Sequence, residues 1–133
     1  MADPTGTNTA QNSAIEATIG LNGQTLSVGT FADVEIPWNC SIARWTAVAV
    51  PAGSVALDVQ MCQETQYDGG ATHPVSGDSI TAGNGPAITA GNAGRDMILA
   101  GWTRSLTAGN ILRFILNSVS GIQQLTVSLE VFR

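Results

Sequence analysis

The chain has no lysine and one histidine, His73. Five arginines stand against ten acids, for a formal charge of −5. Such a surface is repelled by phosphates, which excludes a general nucleic-acid-binding role. Charged residues make up only 11% and aromatics 5% of 133 residues, whereas charged residues alone usually make up about a quarter. A single histidine also limits nucleophilic catalysis, because a serine or cysteine nucleophile needs an activating base beside it. Ser76 and Asp78 lie near His73, but three polar residues within one glycine-rich loop do not read as a triad, and no Gly-x-Ser-x-Gly elbow occurs. There are two cysteines, Cys40 and Cys62, and neither belongs to a CxxC pair. That excludes an ordinary zinc site. They read as buried free thiols, with a Cys40–Cys62 disulfide as the alternative. No stretch approaches the roughly 18 apolar residues of a membrane helix. Residues 1–13 lack the charged and apolar regions of a signal peptide. The expectation is a soluble protein made in a cytoplasm, with no membrane partner.

What remains is largely alternation. At the end of the chain Leu125, Val127, Leu129 and Val131 alternate with Gln124, Thr126, Ser128 and Glu130, the period-two pattern of a strand with one dry face. Leu112, Phe114 and Leu116 do the same just upstream, and the turn formers Asn117–Gly121 between the runs predict a closing antiparallel hairpin. Burying the four apolar side chains of the last strand contributes about 6–12 kcal/mol at most. Earlier, Ile15, Ala17 and Ile19 mark a first strand. Asn22-Gly23 predicts a hairpin turn into a short run carrying Leu26 and Val28. Thr30–Ile36 forms the next strand, stopped by Pro37. Cys40–Val50 and Val55–Cys62 read as two strands joined by a tight turn at Pro51–Ser54. Residues 63–94 form a long glycine-rich excursion, and Arg95–Trp102 one more strand. Thr-Ala-Gly-Asn recurs at 81–84, 89–92 and 107–110 and reads as a favoured turn, with Gly or Asn taking positive φ. Trp45-Thr46 and Trp102-Thr103 echo each other at strand ends. About seven to eight short strands without an amphipathic helix predict an all-β antiparallel sandwich. Residues 1–13 form an extended polar N-terminal arm, and residues 14–133 form the β-domain.

Candidate chemistry is sparse. Asp33, Glu35, Asp58, Glu64, Asp68, Asp78 and Asp96 offer too many carboxylates to single out a catalytic pair. Asp33 and Glu35 share a strand face. Tyr67-Asp68-Gly69-Gly70 lacks the ligand spacing of a calcium loop and reads as a turn. No catalytic, cofactor or metal residue is assigned, and the chain is not expected to be an enzyme. A chain of this kind is expected to work through its surfaces. Trp38, Trp45, Trp102, Tyr67 and Phe132 are the interface-grade aromatics. Trp45 and Trp102 are assigned to the core. The candidate partner contacts are Trp38, Tyr67 and His73, together with Asp3, Pro4, Thr5, Thr7 and Asn8 of the arm.

Several motifs occur in order: Glu35-Ile36-Pro37-Trp38-Asn39-Cys40-Ser41-Ile42, Trp45-Thr46, Gly53–Val59, Gly101-Trp102-Thr103, Ala108–Phe114, Asn117–Ser120 and Leu125–Val131. Together they resemble small jelly-roll-like domains of tailed bacteriophage virions. The resemblance covers roughly residues 31–132. It departs at Asn110, where the pattern often has Asp, and in the glycine-rich 77–94 segment, so no ligand site is carried over. It implies a jelly-roll-like sandwich and a virion structural protein. The two roles implied are a trimeric capsid decoration (cement) protein bridging major capsid proteins, and a tail- or head-fibre protein binding a host receptor or glycan.

Overall fold

The computed structural model describes residues 12–20, 22–68 and 72–133. It is an all-β antiparallel sheet of seven strands: β1 Asn12–Ile19, β2 Phe31–Glu35, β3 Cys40–Cys62, β4 Ala87–Asp96, β5 Ser105–Leu106, β6 Ile111–Ser120 and β7 Gln124–Phe132. One short helix, α1 Glu64–Asp68, and a 3-10 turn, Ser76–Asp78, interrupt the excursion after β3.

The organising element is β3, 23 residues long. Its first half pairs β7 from Ser41 opposite Phe132 to Val50 opposite Gln124. Its second half pairs β6 from Ser54 opposite Ser120 to Cys62 opposite Ile111. Between these ladders the steps from 50 to 54 on one strand match the steps from 124 to 120 on the other, so β6 and β7 form a single broken lane along one edge of β3. The outer edge of that lane is taken by β1 beside β7 and by β2 beside β6. On the opposite edge of β3, β4 and β5 form the fourth lane. Side chains from both halves of these lanes enter one hydrophobic cluster, which includes Ile15, Trp45, Leu57, Phe114, Leu129 and Trp102.

Five expectations change. The closing hairpin does not form: β6 and β7 each pair with β3. The alternation of Leu112–Leu116 and Leu125–Val131 set which side chains are buried, and those seven are indeed in the core. It carried no information about which strand lies alongside. Pro51–Ser54 is likewise no hairpin turn, because β3 runs through it. Pro51 has no N–H to give to a ladder, and both ladders skip the residues around it. Gly53 sits there because a Cβ would meet Ser120 O at 2.3 Å. The Leu26–Val28 run is a loop, tied by Leu26 N to Ile122 O (2.8 Å) and Gly29 N to Leu116 O (2.9 Å), so its backbone bonds β6 and the turn after it rather than β1. Finally, the strand expected at Arg95–Trp102 lies upstream at Ala87–Asp96. Its backbone is held by β3 although few of its side chains are buried. The first strand also begins at Asn12, inside the expected arm.

Other readings hold. Thr81–Asn84 and Thr107–Asn110 are turns closed by Asn84 N to Thr81 O (3.0 Å) and Asn110 N to Thr107 O (3.2 Å). The middle copy lies within β4, where Ala90 takes φ +46°. Both cysteines are buried free thiols. Burial raises their pKa, which keeps them protonated and unreactive.

Candidate interaction surface

The two halves of the sheet present different outward faces. Behind the second half lie Phe31 and Asp33 of β2, Arg113 of β6, and Asp58, Gln60 and Cys62 of β3. The excursion folds over this face. Arg113 donates from Nε to Asp33 Oδ1 (2.8 Å) and from Nη2 to Asp33 Oδ2 (2.9 Å). Its Nη1 reaches Pro74 O at 3.4 Å, and its guanidinium lies 3.9 Å from the centroid of the Phe31 ring. Tyr67 donates its hydroxyl to Asp33 Oδ2 at 2.8 Å. Burial pushes the Asp33 carboxyl up, but the hydrogen bonds from Arg113 and Tyr67 and the Arg113 charge together hold it below the ordinary value. Asp58 accepts from Val59 N (2.9 Å), Ser79 Oγ (2.7 Å), Thr81 Oγ1 (2.7 Å) and Gln60 Nε2 (3.3 Å). Two of these four donors, Ser79 and Thr81, clamp the excursion to β3, and Thr81 and Gln60 are buried.

His73 Nδ1 lies 2.6 Å from Asp78 Oδ2, which also accepts from Val75 N at 2.8 Å. Burial alone would raise the Asp78 carboxyl; the bonds from His73 and Val75 lower it. The Ser76 hydroxyl bonds neither group among the described residues, so the pair fastens a turn. No cluster of His, Cys, Asp or Glu among the described residues is placed to hold a metal. No described helix is long and apolar enough to cross a membrane.

Among the described residues, none is packed over the outward face of the first half at Val48 and Val50. Along β3 the inward positions are Trp45, Ala47 and Ala49, all buried. The outward positions are Arg44, Thr46, Val48 and Val50, flanked by Thr126, Ser128 and Glu130 of β7 and by Ala93 and Arg95 of β4. Val48 and Val50 are 53% and 62% exposed. Beside them the tip after β4 holds Met97 and Ile98 out at 66% and 72% exposure. That tip is tightly built. Asp96 accepts from Ile98 N (3.2 Å) and Leu99 N (3.0 Å), an Asx-type turn. Leu99, at φ +53°, tucks into the core. Trp102 N closes the loop on Leu99 O at 3.1 Å, and Arg104 Nη2 donates to Ile98 O. Two large apolar side chains thus stand exposed on a hydrogen-bonded turn, next to Arg44 and Arg95 and on the same half of the sheet as the exposed Val48 and Val50.

Of the expected contacts, Tyr67 and His73 lie on the covered face, on either side of Arg113's partners. Trp38 lies elsewhere, half-buried against the core, with the Arg133 guanidinium 4.5 Å from its ring centroid. Asp3, Pro4, Thr5, Thr7 and Asn8 lie outside the described residues. The open face was missed from sequence. Its one signal was Ala47-Val48-Ala49-Val50, where Trp45 fixes the phase that sends alanines inward and valines out.

No family model matches the chain, and no curated protein matches it. Among solved structures, it is similar to a chain of the cyanophage Pam1 capsid asymmetric unit, at 17% identity and a TM-score of 0.49, over 99% of this chain and 91% of that one.

Proposed function

We propose that this chain is a structural protein of a tailed-bacteriophage virion, most concretely a capsid decoration protein that bridges and stabilises neighbouring major capsid proteins. On this reading it is a jelly-roll-like β-sandwich, made in the host cytoplasm, that assembles as a trimer and carries no catalytic activity or cofactor. The observation that carries the proposal is the exposure of Val48 and Val50 on the sheet face and of Met97 and Ile98 on the turn after β4. A surface of this kind gains its free energy by burial against other protein. The sequence resemblance supports the same reading. Its motifs at 53–59, 108–114 and 125–131 fall on β3, β6 and β7 and the turn into β6, the lanes that build the core. The polar segment before Asn12 supplies chain that can reach an adjacent capsid subunit. Counting copies per purified particle by quantitative mass spectrometry tests the placement. Hundreds of copies are expected; a few to tens would instead place the chain in a tail or head fibre that binds a host receptor or glycan.

A further inference from the structure

Besides Val28 and Phe132, the exposed large apolar side chains of the described residues gather on two surfaces whose charges differ. The first is the open face already described: Val48, Val50, Met97 and Ile98, with Arg44, Arg95 and Arg104 around the tip. Three of the five arginines gather there. Two acids beside them are already engaged, since Glu130 pairs Arg44 at 3.4 Å and Asp96 accepts the backbone N–H groups of the tip. The second surface is the rim of the covered face. Phe31, Tyr67 and Val75 are exposed there. Three acids of this rim, Glu35, Glu64 and Asp68, are exposed, while Asp33 is paired with Arg113 and Asp78 is bonded to His73. Glu35 and Cys62 both lie opposite Ile111, and α1 with Glu64 and Asp68 follows directly on Cys62.

We infer that the occupant of the open face is a second copy of this chain, docked through its acidic, aromatic rim. The inference rests on the oligomeric reading above and names the two surfaces that meet. A patch that mates with a different patch makes a heterologous contact, and such a contact closes into a ring when the rotation permits. Ile98 and Met97 supply the buried anchor. Arg95, on the exposed end of β4, faces the neighbour's Glu64 and Asp68, and Tyr67 offers the neighbour's aromatic contact. Complementary charge fixes the register of such a contact and excludes the like-with-like pairing of two arginine-flanked tips.

The test is the mass of the full chain in solution by sedimentation equilibrium at micromolar concentration. Ile98→Asp and Arg95→Glu are compared with the wild type, alongside Glu64→Arg and the double variant Arg95→Glu/Glu64→Arg. All three positions are exposed, and circular dichroism melts verify that each variant folds. A trimeric wild type is expected. Ile98→Asp should dissociate it, each single charge reversal should weaken it about tenfold or more, and the double reversal should recover most of the loss. A monomeric wild type overturns the oligomeric reading itself. An oligomer indifferent to Ile98→Asp and Arg95→Glu leaves that reading standing and overturns this interface. Weakening by both reversals without recovery in the double variant overturns the pairing of these two surfaces.

Discussion

Arg113 fastens the covered face. It lies in β6, its fork grips Asp33, its plane covers Phe31, and it reaches the excursion at Pro74 O. Removing one partner of a hydrogen-bonded charge leaves the other unsatisfied. Asp33→Asn is therefore expected to destabilise the protein by about 1–3 kcal/mol at pH 7 in urea titrations, the lower end reflecting partial solvent screening. The sign with pH follows from the lowered carboxyl. Stabilisation from a depressed pKa is fully present above the unfolded-state value of 3.8 and is lost as pH falls through the folded value. The gap between wild type and Asp33→Asn should thus be widest at neutral pH and shrink below about pH 4. A gap that persists unchanged at pH 3 would show that the ion pair is not its source. At Thr81, buried and donating to Asp58 at 2.7 Å, Thr81→Val should cost about 1–3 kcal/mol by the same measurement.

Among the elements, the long lane of β3 decides the architecture, and its bend is the sensitive point. A Cβ at Gly53 would meet the backbone oxygen of Ser120 at 2.3 Å and Ile122 Cγ1 at 2.7 Å. Gly53→Val should cost about 1–3 kcal/mol or more, because backbone cannot move aside as a flexible side chain can. At Gly109, φ is +88° but no atom lies within 4 Å of the Cβ position. Gly109→Ala should lose only the conformational term, about 1–2 kcal/mol. Thermal melts of both variants decide whether crowding or φ dominates at each site. This level also shows how much of the fold was legible. Periodicity identified β1, β6 and β7, with their buried phases, because alternation reports burial directly; β2 was read as a strand without a phase, and none of its residues is fully buried. It could not report partners, so a single broken lane was read as a hairpin, and a continuous β3 as two strands around Pro51. It misplaced β4 because Ala87–Asp96 is held by ladder bonds to β3 while most of its side chains stay exposed. The Met97–Leu99 run that suggested a strand is the turn beyond it, where Met97 and Ile98 stay exposed and Leu99 enters the core.

For the molecule as a whole, the contrast between a face closed by its own excursion and a face left open carries the functional reading. Sequence reasoning reached the idea of a protein that works by its surfaces, because the scarcity of activated groups was visible in composition. It placed the contacts on Trp38, Tyr67 and His73 and on Asp3, Pro4, Thr5, Thr7 and Asn8; the Tyr67 hydroxyl and His73 Nδ1 are engaged with Asp33 and Asp78, while Tyr67 remains partly exposed. The open face stayed hidden, since only the fold reveals which apolar side chains have nothing over them. The arm enters at this scale too. Deleting residues 2–11 leaves β1 intact from Asn12, so the truncated chain should melt within a few degrees of wild type yet lose capsid affinity. Retained affinity would remove the arm from the account.

The most direct test of a decoration role is add-back to purified phage shells from which this protein has been omitted. Saturable binding at hundreds of copies per shell, with a rise in the temperature at which the shell disassembles, is the result predicted. Absence of binding to the shell lattice, or binding confined to a tail or a single vertex with no change in shell stability, would contradict it.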